Sequence, residues 1–130
     1  MIAYWHGRAV SENKRLAPGR GRFRANPDYQ AFKESIAWTV RPHAEQMRGP
    51  VSVRLLLTLN PRMDAQNVIK PVLDALQLAG VIRDDRQVKA LSFYRVNPPP
   101  KKEDSICIMV TEVPEEKVSD LLNEITGRKG

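Results

Sequence analysis

VSVRLLLTLNPRMDAQNVIKPVLDALQLAGVIRDDRQV occupies residues 51–88 and contains, in order, a strand, a helix and the entry to a second strand. Residues 51–59 are rich in branched side chains and follow Pro50, a pattern typical of a core strand. Val68, Val72 and Leu76 recur at helical spacing and predict an apolar stripe along one face of a helix. The stretch therefore predicts a strand–helix–strand unit.

The bounds of this helix depend on its proline. Pro71 is tolerated only in a first turn, because it lacks the N–H that an interior position donates. We therefore expect the helix to start near Asn67, which can cap it, and to end at Gly80. Asp64 then lies in the preceding loop.

The flanking sequence adds the remaining elements. Residues 2–6 read as a short strand, and Asn26-Pro27-Asp28 reads as the start of a helix that Pro42 should kink or end and that Gly49-Pro50 stops. Two further strands are predicted at residues 87–96 and 106–113, joined by a stiff turn. A last amphipathic helix covers residues 114–127 as a C-terminal extension. The prediction is one α+β domain over residues 1–130, with a mixed sheet of about four strands packed by two main helices.

Composition limits the class of protein. The chain has 130 residues, 42% of them hydrophobic, and a net charge of +6, which favours an anionic partner. One cysteine and two histidines exclude a disulfide framework and a multi-thiolate zinc site. The sequence contains neither an apolar run near membrane length nor a signal peptide, so we expect no membrane partner and a cytoplasmic location.

Positive charge is concentrated in residues 7–27, where glycine and proline predict a basic mobile arm. A solvated loop is the alternative. The candidate DNA-binding residues are Lys14, Arg15, Arg20, Arg22 and Arg24 of the arm, together with Arg62, Lys101 and Lys102.

A spaced polar pattern runs through residues 64–85. Asp64 stands where a strand gives way to the helix, Lys70 and Asp74 lie one turn apart, and Asp84-Asp85 precede the next strand. We expect the strand after Pro50 and the strand after Asp85 to be neighbours in one sheet, which would place Asp64 and Asp85 at the same edge. Oxygen ligands of this kind suit magnesium. Taken singly, Lys70 and Asp74 are typical of a surface ion pair, and Asp84-Asp85 of a turn.

This spacing resembles the RusA family of Holliday junction resolvases, whose signature is D-x-D-N-x-x-K-x-x-x-D-A-L, a glycine, and D-D-x-Q-V. Here residues 64–76 read DAQNVIKPVLDAL, Gly80 follows, and residues 84–88 read DDRQV. The similarity extends over roughly residues 8–113.

The resemblance implies a homodimeric, magnesium-dependent endodeoxyribonuclease that cuts four-way DNA junctions in recombination and repair. Asp64 and Asp85 would be metal-binding carboxylates, and Lys70 the catalytic lysine that stabilises charge on the phosphoryl oxygens. Asp74 would orient Lys70. Asp84 would be a third ligand or a partner outside the first layer of ligands.

One position departs from the family pattern. Gln66 stands where the signature has its second aspartate, and an amide oxygen can ligate a metal but brings no charge. Three explanations remain open: a natural variant that uses Asp84 instead, an inactive junction-binding protein, or an engineered substitution. A basic RNA-binding α+β protein is a further alternative, which the lack of aromatic residues at strand spacing disfavours.

Overall fold

The computed structural model describes residues 1–11, 16–19, 22–97 and 103–127 of the chain. Its elements, in chain order, are β1 (Ile2–Gly7), β2 (Leu16–Gly19), β3 (Arg22–Ala25), α1 (Pro27–Val40), β4 (Val51–Thr58), α2 (Gln66–Leu78), β5 (Val88–Val96), β6 (Asp104–Glu112) and α3 (Glu115–Thr126). Short 3₁₀ turns at Arg41–His43 and Asp85–Gln87 follow α1 and precede β5. The predicted α+β fold is confirmed.

The main sheet has four strands in the order β1-β6-β4-β5. β6 is antiparallel to both of its neighbours, whereas β5 runs parallel to β4. The predicted pairing of the strand after Pro50 with the strand after Asp85 is therefore confirmed. A parallel pair needs a crossover connection, and α2 provides it.

One face of this sheet carries the hydrophobic core. Val53, Leu55 and Leu57 alternate with less buried residues along β4, as a strand with one covered face requires. Ile36 of α1 and Leu76 of α2 are fully buried in the same cluster. Both helices therefore pack on this face.

The opposite face of the sheet, which we call the open face, exposes apolar side chains. Tyr4, Cys107, Leu56 and Tyr94 are register partners on adjacent strands and form one row across the sheet. Tyr4 is 51% exposed, Leu56 42% and Tyr94 77%. Much of this row is therefore in contact with solvent.

The two ends of the sheet are named after the first and last residues of β4. At the Val51 end, Val51 pairs with Val88 as β5 begins. At the Thr58 end, Thr58 pairs with Val96 and with Ser105. α2 starts just beyond the Thr58 end and returns the chain to the Val51 end.

Two expectations about local structure need correction. Residues 7–27 were expected to be a basic mobile arm, with a solvated loop as the alternative; β2 and β3 pair antiparallel within it, so part of this segment is strand and not loop. α2 begins at Gln66, with no side-chain cap from Asn67. Asp64 replaces that cap, because its Oδ1 accepts a hydrogen bond of 3.0 Å from the Gln66 N–H.

The expected start of α1 is confirmed. The Asn26 side chain accepts a hydrogen bond of 2.9 Å from the Asp28 N–H, and Pro27 occupies the first helical position. α1 gives way to the 3₁₀ turn that contains Pro42, as expected. None of the helices within the described ranges has the length and apolar character needed to cross a membrane.

Candidate active site

The loop between β4 and α2 carries Asp64 at the Thr58 end of the sheet. Asn60 organises this loop, because its Oδ1 accepts from the Arg62 N–H at 3.0 Å and its carbonyl accepts from the Met63 N–H at 2.9 Å. Asp64 is exposed at the N-terminus of α2, where the helix dipole favours negative charge. One of its oxygens bonds to Gln66, so the other is the oxygen available to an outside group.

Asp104 fixes this loop from a distant part of the chain. It is 8% exposed and begins β6. Its Oδ1 accepts from the Asn60 N–H at 2.8 Å, and its Oδ2 accepts from the Ala9 N–H at 2.9 Å. The carboxylate therefore joins the base of the arm to the loop that carries Asp64. Sequence reasoning missed Asp104, and its place just after a lysine- and proline-rich stretch of sequence gave no signal of this role.

Three polar residues line one side of α2. Gln66, Lys70 and Asp74 are spaced four residues apart and share a face of the helix. The predicted ion pair is confirmed, with 3.7 Å between Lys70 Nζ and Asp74 Oδ1. The Lys70 side chain is 46% exposed, so its ammonium group remains accessible to an anion.

The turn with Asp84 and Asp85 lies at the Val51 end. Asp84 caps the 3₁₀ turn by accepting from the Arg86 N–H at 2.7 Å, and its Oδ2 lies 2.9 Å from an Arg86 guanidinium nitrogen. These hydrogen bonds, the side-chain one first, lower the pKa of Asp84 to about 2. Both Asp84 oxygens are engaged within the turn, whereas Asp85 is exposed.

The hydrogen bonds of Gln87 give a structural reason for the glutamine in the D-D-x-Q-V motif. Its Oε1 accepts from the Arg83 N–H at 2.7 Å and from the Asp84 N–H at 3.3 Å. Its Nε2 donates to the carbonyls of Met47 and Gly49, at 2.8 and 2.9 Å. Gln87 therefore ties the turn to the segment that enters β4.

The expected convergence of Asp64 and Asp85 within one chain is wrong. Because β4 and β5 are parallel, the residues before β5 lie at the Val51 end, while Asp64 follows β4 at the Thr58 end. α2 has 13 residues between them, and at about 1.5 Å per residue it separates the two positions by roughly 20 Å. Within the described part of the chain, no three His, Cys, Asp or Glu side chains cluster closely enough to hold a metal ion.

The candidate DNA-binding residues are described only in part. Arg62 is exposed in the loop with Asp64, and the arm leaves β1 at Gly7, also at the Thr58 end. For Arg22 and Arg24 the structure describes the backbone, in β3. Outside the described residues lie Lys14, Arg15, Arg20, Lys101 and Lys102.

Comparison with known proteins agrees with the sequence motif. A search of curated proteins finds no match to the chain. The profile described as Endodeoxyribonuclease RusA matches residues 7–111, which include the arm, both helices of the core, β4, β5 and all but the last residue of β6. The match ends before α3. The chain belongs to the RusA family of endodeoxyribonucleases, which resolve Holliday junctions.

Proposed function

We propose that this protein is a magnesium-dependent endodeoxyribonuclease that resolves four-way DNA junctions as a homodimer, with each active site built from two copies of the chain. The observation that carries the proposal is the separation of Asp64 and Asp85 at opposite ends of one strand–helix–strand unit. One chain cannot bring these carboxylates to a shared cation, so the second part of the site must come from another chain.

The outer strand β5 supports an interface between two copies. Among the residues that the structure describes, β5 pairs with β4 on one side only, and its other edge has no strand partner in the main sheet. Leu91 and Phe93, on the core side, are 40% and 39% exposed, and Tyr94 and Val96, on the open face, are 77% and 52% exposed. A long edge strand that is apolar on both faces is a template for pairing with another strand.

Antiparallel pairing of β5 with its copy would place the separated groups side by side. The two-fold axis would stand perpendicular to a continuous sheet, so the Val51 end of one copy would adjoin the Thr58 end of the other. Asp85 of the partner subunit would then approach Asp64 across the two outer strands. Neighbouring strands lie about 4.8 Å apart, so this distance is much shorter than the length of α2.

The residues around Asp64 fit magnesium chemistry. The free Asp64 oxygen, the amide oxygen of Gln66 and Asp85 of the partner subunit are the oxygen donors that magnesium prefers. When bound, magnesium would stabilise negative charge on the phosphoryl oxygens and make its bound water more acidic.

Lys70 would contact the same phosphate, and Asp74 would position Lys70. We assign Lys70 to the developing charge on the phosphoryl oxygens, because its ammonium lies on the α2 face that also carries Gln66. Asp74 would hold Lys70 through their ion pair. We assign Asp84 to the turn, because both of its oxygens are already engaged there.

The base of the arm, at Gly7 and Ala9, and Arg62 lie at the same end of the sheet as Asp64, and this favours DNA contact there. A junction held by these basic residues would release counterions, so binding should weaken steeply as salt is raised. Two such ends, one in each copy and related by the two-fold axis, would suit two symmetry-related strands of a junction.

A second candidate function is a junction-binding protein with weak or absent catalysis. The observation that favours it is the neutral, exposed Gln66 beside Asp64. A magnesium titration with a synthetic four-way junction separates the candidates. The nuclease cuts the junction in magnesium and stops with chelator, while the binding protein retards the junction on a gel in both conditions.

Subunit complementation tests the shared site. Asp64→Asn and Asp85→Asn chains are each expected to be inactive alone. In a heterodimer of the two, one site would combine both substitutions and the other would be intact, so activity returns on mixing. Random exchange of equal amounts should restore about a quarter of the sites.

The intact site of such a heterodimer would nick one strand at a time. The control mixes two preparations of Asp64→Asn, which should stay inactive. If the wild-type protein cuts junctions and the mixed variants do not recover activity, the sites lie within single chains and the shared-site proposal is wrong.

A further inference from the structure

α3 is an amphipathic helix whose apolar side lacks cover. Leu121, Leu122 and Ile125 are 48%, 59% and 81% exposed, and Val118 shares their side of the helix at helical spacing. The match to the family profile ends at residue 111, so this helix lies outside the shared domain.

An isolated α3 would be unstable in water. It has 12 residues, and a lone helix of that length is marginal without packing. Glu116, Asp120 and Glu124 are spaced four residues apart, so like charges repel along the side away from the apolar stripe. The helix therefore needs a surface that buries its stripe.

The open face of the sheet is the matching surface. Its row of Tyr4, Cys107, Leu56 and Tyr94 is apolar, and a continuous exposed patch of this kind marks an interaction site. In one chain the stripe and the row do not cover each other, because Ile125 and Tyr94 are each more than three-quarters exposed. Both surfaces are thus left for another molecule.

The charge of α3 indicates which molecule its apolar stripe contacts. α3 carries four carboxylates and one lysine in a chain of net charge +6, so the helix is attracted to the rest of this protein and repelled by DNA. Among the described residues of the open face there is no carboxylate. Arg54, which is exposed, stands there next to the row.

We propose that α3 of each copy packs its apolar stripe on the open face of a second copy. The exchange is reciprocal, because each copy offers one helix and one face. If β5 pairs with its copy, the two open faces become continuous across the two-fold axis, so the same dimer can contain both contacts. The contact itself involves neither the metal-binding residues nor DNA.

Cys107 reports on this contact, since it lies within the row and is the only cysteine in the chain. Three variants place a second cysteine along the stripe: Val118→Cys, Leu122→Cys and Ile125→Cys. Mild oxidation of each purified protein, followed by a gel without reductant, shows which sulfurs meet. We expect at least one variant to form a disulfide-linked dimer within minutes.

Matched controls identify the bond. Asp120→Cys places the thiol on the acidic side of α3 and should cross-link at least tenfold more slowly than the fastest stripe variant. Adding Cys107→Ser to the fastest stripe variant should abolish its disulfide-linked dimer. That result would exclude a bond between two copies of α3.

A bond within one chain would show that α3 covers its own sheet and would overturn the proposal. Stripe variants that cross-link no faster than Asp120→Cys would overturn it too. Because the test uses neither DNA nor magnesium, a protein that fails to cut junctions can still pass it.

Discussion

The two ends of the sheet hold their acidic residues by different means. At the Val51 end, the turn with Asp85 is built from its own sequence: Asp84 caps it, and Gln87 completes the capping box. At the Thr58 end, the loop with Asp64 is fixed by Asp104, which lies 44 residues beyond Asn60 in the chain. The turn with Asp85 is therefore shaped by its own residues and attached through Gln87 to the carbonyls of Met47 and Gly49, whereas the shape of the Asp64 loop itself depends on a long-range contact.

The largest expected effect concerns Asp85, the exposed carboxylate of the locally built turn. Asp85→Asn should lower junction cleavage about 1,000-fold or more, because losing a ligand removes several kcal/mol of metal-dependent stabilisation. Junction binding should be unchanged or tighter, since one carboxylate that repels phosphate is gone. Single-turnover cleavage and gel retardation in calcium measure the two effects.

Asp84→Asn is the matched control for that substitution. It weakens a cap worth about 1 kcal/mol but removes no assigned ligand, so cleavage should fall far less. If Asp84→Asn abolishes cleavage and Asp85→Asn does not, the two neighbours have exchanged roles and Asp84 binds the metal.

An intermediate effect is expected at Asp104, the long-range anchor. Asp104→Asn should lower the free energy of unfolding by about 2 kcal/mol, because its single amide oxygen can replace only one of the two carboxylate oxygens that accept from the Ala9 and Asn60 N–H groups. A looser Asp64 loop should also raise the magnesium concentration needed for half-maximal cleavage. Urea denaturation and a magnesium titration measure these quantities separately.

The two readouts at Asp104 distinguish anchoring of the loop from general stability. Gln87→Leu removes the four side-chain hydrogen bonds that hold the turn with Asp85. Its loss of stability can be compared with that of Asp104→Asn, which loosens the loop at the other end of the sheet. An Asp104→Asn protein that is destabilised but responds normally to magnesium would limit Asp104 to a structural role. Unchanged stability would contradict the anchor itself.

The smallest expected effect concerns Gln66. Gln66→Asp should raise the cleavage rate several-fold at limiting magnesium, because a carboxylate replaces a neutral amide next to Asp64. The gain should shrink at saturating magnesium and disappear in an Asp85→Asn background. Gln66→Asn, which keeps the amide, is the control. Superimposed magnesium curves for parent and Gln66→Asp would mean that Gln66 points away from the metal.

The features that the sequence predicted are those with local causes. The α1 cap at Asn26, the strands around the motif and the Lys70–Asp74 pair all follow from residues a few positions apart. The helix starts within one residue of the expected position, but the cap at Asn67 was misjudged, because Asp64, two residues before Gln66, accepts from the Gln66 N–H instead.

The features that the sequence did not predict depend on topology or distance. The pairing of β4 with β5 was predicted, but not its direction. Because the two strands are parallel, Asp85 lies at the end of the sheet opposite Asp64. The spacing of the motif would be the same for parallel and antiparallel strands, so it gave no signal of this. Asp104 was missed for a similar reason, since its two partners lie 95 and 44 residues away and share no pattern with it.

The unpaired edge of β5 also has a consequence for how junction cleavage depends on the concentration of the protein. A single copy would expose an apolar strand edge, which is prone to aggregation, and would hold only half of each catalytic site. While most copies are still single, the number of paired copies grows with the square of the total amount. Halving the supply of the chain would then lower junction cutting about fourfold. With the shared site as proposed, a cell that makes little of this protein would leave its DNA junctions nearly uncut, and a modest rise in synthesis would be enough to start resolving them.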